Sequence, residues 1–482
     1  MRELKVYNTM KRDKEVFKPV TEGQVKIYCC GVTPYNHPHI GNARPFVTWD
    51  VIRRYLTHLG YQVTYVQNFT DVDDKIINAA NGEGVAWDVI SNRYIDAYYE
   101  VMDKLHVRRA DVYPRVSTEM PEILEMIQKL IDNGYAYELN GDVYYRVTKF
   151  ENYGALSGRA LDEMEAGARV DVNDEKENPM DFALWKAVKP GEPSWEAPWG
   201  PGRPGWHIEC SAMSDKYLGQ EFDFHGGGSD LIFPHHENEI AQSEGCSGHH
   251  PMVRYWVHNG FITINQEKMS KSLNNFFLVR DILESYTPDE LRYFLVSTHY
   301  RSPLDFSDER LTEARRSLER LSTAIENLKY LADCAEGVCD KEAAELILKA
   351  KEAKEAYEEA MCDDFNTALA SAAVFGLAKD INIYYQFVQS SDGKVCHGAL
   401  QKVRDIFFFM TDTLGVLDDV WKGPSADEGA YEELMQAILT VRQKVREQKQ
   451  YAVADCIRDE LGKIGIVIED SPQGARWKKR EV

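Results

Sequence analysis

Lys26–Arg44 reads KIYCCGVTPYNHPHIGNAR. A strand-like run ends in two adjacent cysteines, Cys29 and Cys30. A turn with His37 and His39 follows, then Gly41 and what reads as the start of a helix. Soft metal ligands therefore stand beside a polar, glycine-containing helix entry. Coincidence is one explanation. The other is a site where a thiol and a phosphate are handled side by side, and the rest of the chain has to discriminate.

Working outward, Lys26–Cys30 reads as a strand. Ala43–Leu59 carries Ile52, Tyr55, Leu56 and Leu59 on one helical face and stops at Gly60. Tyr61–Val66 is again strand-like. A strand–helix–strand unit of this length implies a parallel sheet. The quoted turn then lies at the carboxyl end of the first strand, where open α/β sheets bind ligands. Alternating strands and helices fill residues 1–120, and 121–200 reads as an insertion. Its end, GEPSWEAPWGPGRPGW (Gly191–Trp206), is too rich in Gly and Pro for a helix and is expected to be an ordered loop. Glu221–His225 reads as another strand, ended by Gly226-Gly227-Gly228. Pro234 suits the first turn of a helix running to Glu244.

From Leu311 the pattern changes. Leu311, Ala314, Leu318, Leu321, Ile325 and Leu328 recur at helical spacing, as do Val403, Ile406, Phe407, Met410 and Leu414. This half is expected to be a helical bundle. A break at Lys422–Gly429 precedes a small last unit. Its helix carries Leu434, Ile438, Val441 and Val445 on one face, and a short strand, Ile464–Ile468, follows.

At 482 residues the chain exceeds one ordinary core. Hydrophobic content of 44% and charged content of 28% fit a soluble globular protein. The first residues hold no apolar signal-peptide core, and no run of about 18 apolar residues exists to span a membrane. Nine scattered cysteines do not form a disulfide framework, so a reducing cytoplasm is expected. A net charge of −22 argues against a protein that coats nucleic acid generically. It leaves room for a specific RNA partner, because charge can be segregated. Arg476–Arg480 and Arg442–Lys449 are basic, although solvated helix faces and tails commonly look the same.

Two sets of residues carry chemistry. His235 and Glu239 are four apart and His236 and Glu239 three apart on the expected helix, so either pair projects from one face. The order HHENE is not the H-E-x-x-H of metalloproteases. Cys29 and Cys30 alternate faces on a strand, so at most one of them points at a given site. Cys210, in HIECSAM, adds a second thiol. A Cys/Cys/His/Glu set suits tetrahedral zinc, whereas a lone His/Glu pair is more often a surface ion pair. The second set handles anions. His39-Ile40-Gly41-Asn42 opens a helix, whose free N–H groups and dipole favour a phosphate. Lys268-Met269-Ser270-Lys271-Ser272 places two ammonium groups three apart among small polar residues. A polyphosphate could draw on both as its transition state forms.

Together, HIGN and KMSKS resemble the HIGH and KMSKS signatures of class I aminoacyl-tRNA synthetases. KMSKS matches in full. HIGN departs at its last residue, and Asn42 must do the work of a histidine; an amide can still donate to a phosphate. Within that class the chain resembles the cysteinyl-tRNA synthetase family over nearly its whole length. The matching stretches are CGVTPYN (Cys30–Asn36), NFTDVDDK (Asn68–Lys75), GARVDV (Gly167–Val172), GRPGWHIECSAM (Gly202–Met213), HGGGSDLIFPHHENE (His225–Glu239), DDFNT (Asp363–Thr367) and GIVIEDSPQG (Gly465–Gly474).

The resemblance implies an α/β fold: a Rossmann-like parallel-sheet catalytic domain with an insertion, then a helical bundle and a small C-terminal anticodon-binding unit. Its divisions would be 1–120 and 201–260 for the two catalytic halves, 121–200 for the connective insertion, and 261–310 for the KMSKS-loop, stem-contact region. The bundle would span 311–425 and the anticodon unit 426–482. It implies one Zn2+ on Cys30, Cys210, His235 and Glu239. ATP would meet His39, Asn42, Gly226, Gly227, Gly228, Asp230, Lys268 and Lys271, with Mg2+ accompanying it. His39, Asn42, Lys268 and Lys271 would be the catalytic set. Thr70, Trp206 and His225 would line the amino-acid pocket. Arg446, Tyr451, Asp455, Asp470 and Trp477 would read the anticodon, with the basic tail on phosphates. The implied activity is ligation of L-cysteine to tRNA(Cys) in the cytoplasm by a monomer, with the zinc–thiolate bond rejecting serine. Rival expectations are a cysteine-activating ligase with a small amine acceptor, a non-catalytic RNA-binding relative and a zinc hydrolase. The 426–482 unit argues against the first and the intact lysines and cysteines against the second. The third lacks a general base beside the metal.

Overall fold

The computed structural model describes residues 2–159, 175–264, 267–268, 276–333, 341–390, 396–423, 426–471 and 474–479. The chain divides into two compact units. The first comprises Met1–Ala314 with Glu358–Ala368, and the second comprises Arg315–Tyr357 with Leu369–Val482.

A four-stranded parallel sheet centres the first unit. Its strands are β1 (Gln24–Val32), β2 (Gln62–Phe69), β3 (Phe222–Gly228) and β4 (Val253–Asn259), in the order β4-β3-β1-β2. Apolar side chains bury both faces, as a parallel sheet requires: Val25, Ile27, Tyr28, Val66, Phe69 and Phe224 are fully enclosed. The chain steps from β1 to β2 on one side and later from β3 to β4 on the other. The strand order therefore reverses between β1 and β3, and a crevice opens at their carboxyl ends. Helix α1 (Ile40–His58) connects β1 to β2. It ends at Leu59, and Gly60 follows with φ 92°, a conformation that suits glycine after a helix. Helices α2 (Ile208–Leu218) and α3 (Glu237–Ser247) flank β3 in sequence.

One glycine is dictated by sterics. β1 shifts register against β2 between Cys29 and Val32, and there a Cβ on Gly31 would lie 1.5 Å from the Asn68 carbonyl oxygen. The backbones could not approach so closely with any side chain at 31. The strand's final turn toward the crevice depends on that approach.

Several boundaries differ from the sequence expectation. The three glycines 226–228 do not end β3 but complete it, because each pairs with β4 at Val257, His258 and Asn259. The long α3 begins at Glu237 rather than Pro234. A single wide turn, Ile232–His236, precedes it and contains Phe233 in an extended conformation. The Gly/Pro-rich loop contributes a strand, Gly202–Pro204, to a four-stranded antiparallel sheet with Ala136–Leu139, Asp142–Tyr145 and Phe182–Ala187. Trp195 and Gly202 exchange backbone hydrogen bonds of 2.7 and 3.0 Å, which holds that strand in register. Helix Met120–Asp132 buries Met120, Ile123, Ile127 and Leu130 in a core shared with Tyr28, Ile208 and Ile240.

A second, smaller sheet joins Ile262–Ile264 to Leu304–Asp305 in parallel and to Glu267–Lys268 antiparallel.

Helices Asp308–Asp333, Lys341–Cys362, Thr367–Ser390 and His397–Leu414 supply the expected bundle. Leu318, Leu321, Ile325, Leu328, Val403, Phe407, Met410 and Leu414 are buried as their spacing requires. Beyond it lie helices Ala426–Glu447 and Tyr451–Lys463 and a hairpin, Ile466–Ser471 with Gly474–Lys479. The expected break at 422–429 shrinks, since the helix already begins at Ala426. The apolar face expected on that helix is only half-buried, at Ile438 and Val445. Leu434 and Val441 are exposed (56% and 55%), while Met435, Leu439 and Arg442 point inward. Arg442 turns the helix by one position because its guanidinium grips Asp470 (2.5 and 2.9 Å) and the Ala454 carbonyl (3.1 Å). Of the residues read as a basic tail, Arg476–Lys479 lie on the hairpin's second strand, and Arg480 lies outside the described residues. Among the described residues no helix is long and apolar enough to cross a membrane. Cys396 is disulfide-bonded, whereas the scattered cysteines were expected to form no disulfide framework. Cys29, Cys30, Cys210, Cys246, Cys362 and Cys456 are free.

Candidate active site

Four residues from three distant segments converge at the carboxyl end of β1. Cys30 Sγ lies 3.9 Å from Cys210 Sγ and 3.5 Å from Glu239 Oε1, and His235 Nε2 lies 3.0 Å from the same oxygen. Local geometry explains each position. The strand alternation puts Cys30 in the cluster and turns Cys29 Sγ to the Cys30 carbonyl. Cys210 sits in the first turn of α2. His235 precedes α3 by two residues and reaches Glu239, one turn on, at i,i+4 spacing. All four side chains are buried.

Their donor atoms lie within 4.8 Å of one another. A tetrahedral Zn2+ with ordinary bond lengths would separate two thiolate sulfurs by about 3.8 Å and a sulfur from an oxygen by about 3.5 Å. The observed 3.9 and 3.5 Å fit that requirement. A second set, Cys30, His225, His236 and Glu239, satisfies the same distance limit. It holds one thiol instead of two. Within it His225 Nε2 meets Glu239 Oε2 (2.8 Å) and His236 Nε2 faces Cys30 Sγ (3.3 Å), while His236 Nδ1 meets His258 Nε2 (2.8 Å). Thr9 Oγ1 reaches His258 Nδ1 (2.8 Å) and extends that row.

Electrostatics favour positive charge at the centre of the first set. Burial works against the Glu239 carboxylate, yet His225 and His235 hold it at about 2. Burial also opposes ionisation of Cys210, but hydrogen bonds from Cys30 and His235 bring its thiol to about 6. Cys30 moves the other way, raised by burial and by the neighbouring Cys210 and Glu239. Burial lowers His235, and Glu239 and Cys210 overcome it, leaving that imidazole at about 10. Cys29, enclosed on the other side of the strand, is likewise pushed up by burial, to about 12. Of the three thiols here only Cys210 is eased toward the thiolate.

The remaining expected residues are placed as follows. Trp206 stacks on His235 with centroids 4.4 Å apart and is 43% exposed, so it forms an outer wall of the cluster. Thr70 is buried at the end of β2, its hydroxyl near Asn68 Nδ2 (3.4 Å). His225 is fully buried against Glu239. A Cβ on Gly226 would strike the Trp49 ring at 2.1 Å, so packing alone demands glycine there. Asp230 is exposed, just beyond β3. His39 caps the entry of α1, and Asn42 Oδ1 accepts the His39 backbone N–H (3.2 Å). The amide oxygen of Asn42 is thus committed to the helix entry, and Nδ2 is its donor end. Lys268 is described only through its strand backbone, and Lys271 lies outside the described residues.

Sequence reasoning missed the supporting groups. His207 Nδ1 meets His235 Nδ1 at 2.9 Å. Glu237 is buried and accepts backbone N–H groups from Gly154 (2.9 Å), Leu156 (3.4 Å) and Ser157 (2.8 Å). The HHENE run hinted at this density of function. Nothing in the sequence marked 154–157 as its counterpart.

In the second unit Asp470 accepts from Arg442 and pairs with Arg446 (2.8 Å), which brings two of the expected anticodon residues together. Asp455 pairs with Arg458 (3.2 Å), and Tyr451 is 58% exposed. Trp477 faces Ile468 across the hairpin. Arg476 and Lys478 both bind Glu469 (2.6 and 2.5 Å), so the basic tail is already partly neutralised.

A parallel sheet that reverses order at β1/β3, with HIGN opening the helix after β1, defines the catalytic fold of class I aminoacyl-tRNA synthetases. The family described as "tRNA synthetases class I (C) catalytic domain" matches residues 16–316. The DALR domain matches 356–418, and the "Cysteinyl-tRNA ligase anticodon binding domain" matches 430–477. A solved Mycobacterium tuberculosis methionyl-tRNA synthetase in complex with methionyl-adenylate aligns with TM-score 0.59 over 81% of this chain and 89% of that one. At 15% identity that likeness is one of fold. The cysteine–tRNA ligases of Heliobacterium modesticaldum and Pelotomaculum thermopropionicum are each 52% identical across 99% of this chain and 99% and 100% of theirs. The chain belongs to the cysteine–tRNA ligase family.

Proposed function

We propose that the chain activates L-cysteine with ATP to cysteinyl-adenylate and transfers cysteine to the 3′ end of tRNA(Cys). The convergence of Cys30, Cys210, His235 and Glu239 carries this reading, because two thiols, an imidazole and a carboxylate suit zinc. Zinc held there supplies a soft centre that prefers a substrate thiolate to a hydroxyl. A plain pocket separates such near-isosteres poorly. His225 orients Glu239 through its second oxygen, and Trp206 walls the site beside His235. Thr70 lies at the end of β2, on the amino-acid side.

The substrate carboxylate is already an anion. It attacks the α-phosphorus of ATP, and the bond to the β-phosphate oxygen breaks, releasing pyrophosphate. No enzyme nucleophile is needed, so catalysis rests on positioning and charge stabilisation. His39 and Asn42 at the α1 entry serve the phosphates. Lys268 and Lys271 neutralise the charge that develops, and Mg2+ enters with ATP. Gly226–Gly228 and Asp230 border the adenosine. A ribose hydroxyl of the tRNA then attacks the acyl carbonyl, and AMP leaves.

Residues 426–482 read the anticodon through Arg446, Tyr451, Asp455, Asp470 and Trp477. The exposed Tyr451 ring supports a stacking role, and the family match over 430–477 supports tRNA as acceptor over a small amine. The test is ATP–pyrophosphate exchange with each amino acid in turn. Exchange should require cysteine and be far weaker with serine. Equal exchange with both ends the thiol-selection reading.

A further inference from the structure

The phosphate side of the site depends on two segments far apart in sequence, HIGN on α1 and the stretch that carries Lys268 and Lys271. Arg44, two residues past Asn42, joins them. Its side chain is 1% exposed. NH1 donates to the carbonyls of Gly260 and Phe261, both at 2.8 Å, and NH2 donates to those of Ser302 (2.5 Å) and His299 (3.5 Å). All four acceptors are main-chain oxygens, two on each of two neighbouring chain segments.

Those segments are the roots of the small sheet. Just beyond Phe261, Ile262–Ile264 pairs with Leu304–Asp305, and Thr263 lies opposite Lys268. The crossing is tight. Gly260 N donates to the Tyr300 carbonyl (2.9 Å), and a Cβ at 260 would lie 2.5 Å from Ser302 O and 2.7 Å from Arg301 O. The far end of the Lys271-bearing stretch returns to the same helix entry. Ile40 N donates to Phe277 O (3.1 Å) and Val279 N to Pro38 O (3.0 Å). α1 therefore anchors both ends of the lysine-bearing stretch, by backbone bonds at one end and by Arg44 at the other.

We propose that Arg44 is a positioning residue for adenylate formation, fixing the root of the Lys268 strand to the helix that presents His39 and Asn42. This rests on the phosphate roles proposed above. A guanidinium suits the task because its planar fork meets several carbonyls at once, which the single ammonium of lysine cannot reproduce. Arg44 acts through Lys268 and touches no substrate. Its effect should therefore appear in the rate of phosphate transfer and not in cysteine capture.

The test is Arg44→Lys, measured by ATP–pyrophosphate exchange with zinc content and cysteine KM followed in parallel. A misplacement of about 1 Å can cost about 100-fold in rate. Exchange kcat should fall roughly 10- to 100-fold, with zinc content and cysteine KM within about twofold. The double variant Arg44→Lys/Lys268→Ala should be no slower than Lys268→Ala, since residues acting as a unit are not additive. Gly260→Ala, which pries apart the same crossing, should behave like Arg44→Lys. Unchanged kcat, zinc and cysteine binding lost together with kcat, or failure of both single variants to fold would overturn the proposal. Exchange undiminished in Lys268→Ala would overturn the phosphate role of that lysine itself. Diminished exchange with additive losses in the double variant would overturn only the Arg44 link.

Discussion

On the function proposed above, the Cys/His/Glu cluster and the C-terminal unit face opposite recognition problems and are built in opposite ways. Cys30, Cys210 and the His235/Glu239 pair come from three separated segments, and all four side chains are buried. Tyr451, Asp455 and Arg446 come from about ten residues of chain, and Tyr451 is 58% exposed. Telling sulfur from oxygen is a difference of one atom, and it needs a dry site whose ligands are fixed before the substrate arrives. Reading unstacked bases needs accessible rings and donors. Charge follows the same division. Around Glu239 it is enclosed and mutually supporting, whereas around Asp470 it is half open to water.

The largest effects should fall on the cluster. Cys30→Ser and Cys210→Ser should each remove most bound zinc and abolish cysteine-dependent exchange, measured by metal analysis and pyrophosphate exchange. His235→Ala should do the same, while His236→Ala should retain the metal with exchange lowered about 10- to 100-fold, the usual cost of losing an outer supporting group. The reverse pattern, with His236 essential and His235 dispensable, would move the site to the second ligand set.

Removing 426–482 comes next. Exchange should stay within about twofold, while tRNA charging kcat/KM should fall about 100-fold, since each stacked base contributes about 1–3 kcal/mol. Charging at full rate by the shortened chain would place recognition elsewhere.

Smaller still is the ion pair inside that unit. Arg442→Ala should destabilise it by about 1–2 kcal/mol in chemical denaturation, below the 3–5 typical of a fully buried pair because Asp470 keeps access to water. The hydrogen bonds from Arg442, followed by its charge and that of Arg446, hold the Asp470 carboxyl below its ordinary range. That contribution is present above the unfolded aspartate value, near 3.9, and is lost as pH falls through the lower folded value. Protection of the hairpin amides, taken relative to the intrinsic exchange rate at each pH, should therefore fall between about pH 4 and 2, and Asp470→Asn should flatten the fall.

Much of the first unit was legible because its signals are local. Apolar alternation marked β1, and helical spacing with a glycine stop marked α1. The bundle leucines likewise announced their own buried face. The failures share a cause: they depend on partners distant in sequence. The glycines of β3 are strand because β4 lies beside them, and Gly202–Pro204 is strand because Phe182–Ala187 does. The buried face of Ala426–Glu447 was misjudged because a hydropathy pattern cannot foresee that Asp470 draws Arg442 inward. For the ligands, spacing alone left Cys29 against Cys30 and His235 against His236. Strand alternation and i,i+4 reach make the structural preference visible, while the supporting histidines came only with the fold.

The Glu237 carboxylate, held by three amides from 154–157, gives the insertion a meaning for anyone who wishes to shorten this enzyme. Trimming 121–200 to a minimal linker would strip those donors from a charge that is 1% exposed and two residues from Glu239. An orphaned buried anion costs about 3–5 kcal/mol. A miniaturised version must therefore graft that short loop or replace Glu237 with a residue that carries no charge.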